Sequence, residues 1–285
     1  MQKAKLALKA HADHQTVVNL SSTVTVGGSD LLIVGGPCSV ESQAQMEAVA
    51  SRLRVAPIQA IRGGVYKPRT SPYDFQGMGL DGLEILAGVR DRYGLPVITE
   101  VMAISQIEAI ATHADVLQVG SRNMQNFDLL KAVGQVDKPV LLKRGLAATL
   151  EEFVMAAEYI LSHGNPNVIL CERGIRSFDP FTRNVLDLGA VVALKQITHL
   201  PVVVDPSHAA GKRELVANLA KAAIASGADG VMVECHPEPE ESVSDARQTL
   251  SLEAMAELVQ ELGRIANAVD RTIPQTGVMP QLSWV

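Results

Sequence analysis

The sequence is poor in aromatic residues, at 4%, and its one tryptophan, Trp284, stands next to last among 285 residues. Because 47% of the chain is nevertheless hydrophobic, the core has to be built from aliphatic side chains. Cysteine is scarce too. Cys38, Cys171 and Cys235 are too few and too irregularly spaced for a disulfide framework, and no CxxC pair suggests a structural zinc site. A reducing, cytoplasmic location is the expectation. Positive charge is in deficit, with 25 Lys+Arg against 31 Asp+Glu and a net charge of −6, which argues against nucleic acid or an anionic membrane as a partner. Small molecules or proteins are the expected partners. No apolar run approaches the roughly 18 to 20 residues of a membrane span. Lys3, Lys5, Lys9 and Asp13 interrupt the N-terminal stretch where a signal peptide needs an apolar segment. With 20% charged residues and ample aliphatics, the composition is that of a globular protein, not a disordered or collagen-like one.

What the chain does have is repetition. From Leu31 onward, short runs rich in Val, Ile and Leu alternate with longer stretches of helical periodicity. The runs lie at 31–35, 58–61, 97–100, 116–119, 139–143, 168–171, 202–204 and 230–234. Candidate helices lie at 42–54, 82–93, 105–111, 126–133, 150–162, 183–196, 212–226 and 252–265. Thr149 ahead of Glu151 and Glu152, and Ser251 ahead of Glu253, mark two of the helix starts. Strict alternation predicts a single (β/α)8 TIM barrel over 31–268, with a doubly wound open sheet as the alternative and no room for a second domain. Residues 1–30 are expected to form an extension in which Val17, Val18, Leu20, Val24 and Val26 make a β-hairpin around Ser21 and Ser22. Residues 269–285, with Pro274, Pro280 and Trp284, are expected to form an irregular arm that frays or packs on a neighbour.

In a barrel, the groups just beyond the C-terminal strand ends face the active site. Here they are rich in chemistry. Strand one is followed by Cys38, strand two by Arg62, Lys67, Arg69 and Thr70, and strand three ends at Glu100. Strand four leads to Arg122, strand five to Lys143, strand six to Glu172 and Arg173. Strand seven is followed by Asp205 and His208, strand eight by Glu234, His236 and then Asp245. Any one of these cations is ordinarily a solvated or ion-paired surface group. Six at one mouth point instead to a multiply anionic ligand, with guanidinium forks suited to phosphate or carboxylate. Cys38 alone reads as a small buried hydrophobe, and His208 or Glu234 alone as a structural partner. Together, Cys38, His208, Glu234 and Asp245 offer one thiolate, one imidazole and two carboxylates from neighbouring strand ends, a set suited to Mn, Fe, Co or Zn. Cys235, one residue after Glu234, is expected to point away from the mouth.

The strings GGPCSVES, RGGVYKPRTSPYDFQGMG, QVGSRNMQN, LLKRG, CERGIRSFD, DPSHAAGK and VECHPEPE together resemble 3-deoxy-D-arabino-heptulosonate 7-phosphate (DAHP) synthase, in its short microbial type I-beta form. The resemblance runs from about Leu31 to Leu262. It implies condensation of phosphoenolpyruvate with erythrose 4-phosphate, releasing inorganic phosphate at the entry to the shikimate pathway. The family's metal ligands fall on Cys38, His208, Glu234 and Asp245. Its phosphoenolpyruvate contacts fall on Arg62, Lys67, Arg122, Lys143 and Arg173, and its erythrose 4-phosphate contacts on Arg69 and Thr70, with Asp205 near the hydroxyls. Lys67 is the candidate proton donor, which with Cys38 and His208 completes the expected catalytic group.

The related 3-deoxy-D-manno-octulosonate 8-phosphate synthases resemble KANRSS where this chain has KPRTS, which favours erythrose 4-phosphate over arabinose 5-phosphate. Cys235 stands where the family more often has an aliphatic residue. A homodimer or homotetramer is implied, and residues 1–30 are too short for the regulatory module that some members carry. Two other readings compete: a metal-free Schiff-base aldolase using Lys143, and a non-enzymatic sugar-phosphate binder.

Overall fold

The computed structural model describes residues 3–69 and 71–274. Eight parallel strands lie side by side: β1 (Leu32–Gly36), β2 (Ala60–Arg62), β3 (Val97–Val101), β4 (Val116–Val119), β5 (Val140–Lys143), β6 (Val168–Glu172), β7 (Val202–Val204) and β8 (Gly230–His236). Gly230 of β8 pairs with Leu32 of β1 and with Val203 of β7, so the sheet closes and the open-sheet alternative is excluded. Helices α1 (Gln43–Arg54), α2 (Leu80–Tyr93), α3 (Ile107–His113), α4 (Phe127–Val133), α5 (Leu150–Ser162), α6 (Leu188–Ile197), α7 (Arg213–Ala225) and α8 (Leu252–Ala268) form the outer layer. None of the described helices is long and apolar enough to cross a membrane.

The strands are apolar throughout because both faces are buried. Leu32, Val34, Ala60, Ile98, Val116, Leu141, Ile169, Cys171, Val203 and Met232 fill the barrel interior. Their neighbours in sequence, among them Ile33, Ile61, Val97, Leu117, Leu142 and Val231, pack against the helices. Cys235 belongs to this outer layer, as the alternation predicts. The expected hairpin is present, with Val18–Asn19 antiparallel to Thr25–Val26. Its Val18, Leu20, Val24 and Val26 join the interior cluster and plug the end of the barrel where the strands begin, while Val17 stays exposed. Ahead of the hairpin, the Glu158 carboxylate of α5 accepts hydrogen bonds from the backbone N–H groups of Lys5, Leu6 and Ala7. After α8 the chain runs back to the same end, where Leu31 N–H donates to the Thr272 carbonyl and Gln59 Nε2 to that of Pro274. Pro280 and Trp284 lie outside the described residues.

Two of the differences from the sequence pattern bear on the site. The helix expected at 183–196 starts only at Leu188, because Val185 pairs with Ile175 across the loop and Asp187 caps the Ala190 N–H. A helix not expected, Pro206–Ala210, follows β7. Asp205 caps it, Pro206 opens it, and Gly211 ends it in the left-handed region.

Candidate active site

All eight strands deliver polar groups to one end. Gly36 closes β1 at φ 137°, where a Cβ would lie 2.2 Å from the Arg62 carbonyl oxygen. Only glycine lets the chain pass this close to β2 and turn so that Cys38 faces the barrel mouth. Cys38 Sγ lies 3.1 Å from Asp245 Oδ2 and 2.9 Å from Lys67 Nζ. His208, on the single-turn helix after β7, points Nε2 at Glu234 Oε1 (3.2 Å) and Asp245 Oδ2 (3.7 Å), and its Nδ1 is bonded to Asp205 Oδ2 at 2.7 Å. One donor atom each from Cys38, His208, Glu234 and Asp245 falls within 4.8 Å of the others.

These donors fit a divalent transition ion: sulfur, an imidazole nitrogen whose partner nitrogen is held by a carboxylate, and two carboxylate oxygens. The electrostatics agree. Burial, followed by the nearby Glu234 charge, pushes the Cys38 thiol up to about 12, against the pull of Lys67. Burial also opposes ionisation of Glu234 and Asp245, yet His208 with Arg62, and His208 with Arg183, hold the two carboxyls below their usual range. The cluster therefore has its acids ionised and a thiol that a bound cation has to deprotonate.

Around it opens a cavity of about 500 Å³, lined by all six expected cations, Arg62, Lys67, Arg69, Arg122, Lys143 and Arg173. Their partners differ. Arg62 is buried and pairs with Glu234 Oε1 at 2.6 Å. Lys67 Nζ donates to the Cys38 carbonyl at 2.8 Å. Lys143 is buried and pairs with Asp205. Arg173 bonds the Gly174 and His208 carbonyls, and burial pushes its guanidinium down. Arg69 bonds the Phe75 carbonyl and Ser244 Oγ, each at 2.9 Å. Arg122 stands exposed at the rim with no polar partner among the described residues.

Asp205, expected beside the aldose hydroxyls, is 1% exposed and does not line the cavity. Its carboxylate caps its own helix and turns back to Lys143 and His208. Thr70 lies outside the described residues. Glu172 is not at the mouth either, being buried against Arg144 at 2.8 Å. Sequence reasoning overlooked Arg176 and Arg183 in the cavity wall and Gln248 behind it. Arg183 was hidden by its assignment to a helix. Gln248 lies in a loop with no periodicity, and no sequence signal marks it.

The model of the DAHP synthetase I family matches residues 14–268. The chain is 48% identical over 265 residues to phospho-2-dehydro-3-deoxyheptonate aldolase of Thermotoga maritima, covering 93% of this chain and 78% of that protein. It is 33% identical over 258 residues to 2-dehydro-3-deoxyphosphooctonate aldolase of Syntrophotalea carbinolica, covering 84% and 92%. Among solved structures, the DAHP synthase of T. maritima superposes with a TM-score of 0.92 at 45% identity, covering 96% of this chain and 80% of that one. A truncated form of 3-deoxy-D-arabino-heptulosonate 7-phosphate synthase from T. maritima gives 0.88 at 43% identity, covering 94% and 98%.

Proposed function

The chain belongs to the DAHP synthetase I family, and from that membership we propose that it condenses phosphoenolpyruvate, erythrose 4-phosphate and water to DAHP and inorganic phosphate, opening the shikimate pathway. One observation carries this reading: six cations line a single cavity with Cys38, His208 and Asp245, and Glu234 lies buried within 4.8 Å of those three donors. A ligand with a phosphate at one end and a carboxylate at the other needs a separate cationic clamp for each. Arg122 and Arg173 are assigned to the phosphate, Lys67 and Lys143 to the carboxylate. Held at both ends, the alkene presents one face to the aldehyde, and such orientation is worth about 7 to 11 kcal/mol of barrier.

Cys38, His208, Glu234 and Asp245 are assigned as ligands of a divalent ion, which when bound supplies Lewis acidity toward the aldehyde oxygen. Arg62 offsets the Glu234 charge and contributes to phosphoenolpyruvate binding. Lys67, whose ammonium reaches from the Cys38 carbonyl toward the cavity, is assigned as proton donor to the oxygen that becomes the new hydroxyl. Arg69 and Thr70 are assigned to erythrose 4-phosphate. The KPRTS string and the higher identity to the heptonate aldolase than to the octonate aldolase both support a four-carbon aldose.

The test is phosphate release from phosphoenolpyruvate with either erythrose 4-phosphate or arabinose 5-phosphate, with and without chelator. Release is expected with erythrose 4-phosphate, to be lost in chelator and restored by Mn. Faster release with arabinose 5-phosphate would move the chain to the octulosonate branch. Full activity in chelator, with borohydride trapping substrate on Lys143, would replace the metal reading by a Schiff base.

A further inference from the structure

Two side chains outside the proposed ligand set join its two carboxylates. Arg183 Nη1 donates to Asp245 Oδ1 at 2.8 Å and to Gln248 Oε1 at 3.2 Å. Gln248 Nε2 donates to Glu234 Oε2 at 2.6 Å. The amide can take only one orientation, because a guanidinium only donates and a carboxylate only accepts. Gln248 is 2% exposed, so its amide is shielded from bulk water, while Arg183 reaches it from the surface.

The pair occupies one oxygen of each carboxylate and leaves the other turned to the cluster, where Glu234 Oε1 also meets Arg62 at 2.6 Å. With Oδ1 on Arg183, Asp245 presents Oδ2 to Cys38 Sγ and His208 Nε2. With Oε2 on Gln248, Glu234 presents Oε1 to His208 Nε2. Asp245 has φ 58°, a left-handed conformation that a non-glycine residue keeps only when its surroundings impose it. Its carbonyl is gripped by Gln248 N–H at 3.1 Å and Thr249 Oγ1 at 3.0 Å. The third ligand is tied to the same stretch: Arg183 and Asn184 N–H donate to the Ala210 and Ala209 carbonyls, and Asn184 Nδ2 donates to that of His208 at 3.0 Å.

We propose that Arg183 and Gln248 are positioning residues for the divalent ion, fixing which oxygen of Asp245 and of Glu234 faces it and how far apart the two stand. This rests on the reading of Cys38, His208, Glu234 and Asp245 as metal ligands. Neither residue supplies a ligand atom. Their removal leaves the donors present but loosens them, Asp245 losing its hold on Oδ1 and Glu234 keeping only the Arg62 pairing on Oε1, and the loss appears in metal affinity.

The experiment uses the full chain, stripped of metal and titrated with Mn²⁺ against a chelating fluorophore, and with Co²⁺ followed by its ligand-field absorption. The variants are Arg183→Ala, Arg183→Lys, Gln248→Met and the double Arg183→Ala/Gln248→Met, with Asp245→Ala as reference and thermal unfolding as the check on folding. Arg183→Ala and Gln248→Met are each expected to weaken Mn²⁺ binding by about ten- to a hundredfold and to alter the Co²⁺ spectrum. The double variant is expected to lose less than the product of the two. Arg183→Lys, which keeps the charge and the fold but not the fork, is expected to lose affinity by a smaller factor. Unchanged affinity and spectrum in these variants, while Asp245→Ala loses the metal, would overturn the positioning role and leave the ligand set standing. Unchanged affinity in Asp245→Ala would overturn both.

Discussion

Cys38 is a small buried side chain after a proline, 2% exposed, and by that description it is an ordinary core residue. Only its distances to Asp245 and Lys67 give it chemistry. Cys38→Ala is expected to abolish metal-dependent turnover while circular dichroism reports an intact barrel; retained turnover at wild-type metal content would remove the thiol from the ligand set. Arg69→Ala is expected to raise KM for erythrose 4-phosphate far more than for phosphoenolpyruvate, and equal rises would contradict its assignment. The four donors and six cations were legible because each follows a strand end, and a closed barrel gathers all strand ends at one mouth. Asp205 also follows a strand end, and what its position does not tell is that capping turns its carboxylate toward Lys143 and His208. Arg183 and Gln248 were illegible because their roles depend on the path of loops, which carry no period.

The elements themselves were legible from alternation of short apolar runs with helical stretches, since strands buried on both faces leave that signature. Their edges were set by interactions the pattern does not contain, such as the Ile175–Val185 pairing that delays α6. Where a cap is explicit, it can be tested. Thr149 accepts from the Glu152 N–H while the Glu152 carboxylate accepts from the Thr149 N–H. Thr149→Ala is expected to cost about 1 kcal/mol in urea unfolding, and an unchanged midpoint would mean that tertiary packing alone holds α5. The hairpin offers a second test. Leu20 is 4% exposed within the barrel interior cluster. Leu20→Ala is expected to cost about 2 to 5 kcal/mol of stability and to leave kcat unaltered, because the plug sits at the end opposite the cavity. A fall in kcat in the folded variant would mean the two ends are coupled.

At the scale of the molecule, a net charge of −6 surrounds a mouth lined by cations. The acidic excess therefore lies elsewhere on the protein, and anions are drawn to one place on it. Values of kcat/KM for phosphoenolpyruvate are expected to fall steadily as KCl is raised toward about 1 M, where the screening length shrinks to about 3 Å. Rates independent of salt would show that the buried clamps act without long-range attraction.

Among the described residues, the hairpin seals one end of the barrel and the cavity opens at the other. Arg62, Lys67, Lys143 and Arg173, four of the five groups assigned to phosphoenolpyruvate, lie buried in it and the fifth, Arg122, stands at the rim, while Arg69, assigned to erythrose 4-phosphate, is only partly covered. A ligand resting on the deep cations is expected to enter before the occupant of Arg69 and to leave after it. Two ligands sharing such a passage queue, so the deeper one is committed once the shallower one arrives. Steady-state velocities should then follow a compulsory sequence of arrival, with phosphoenolpyruvate first.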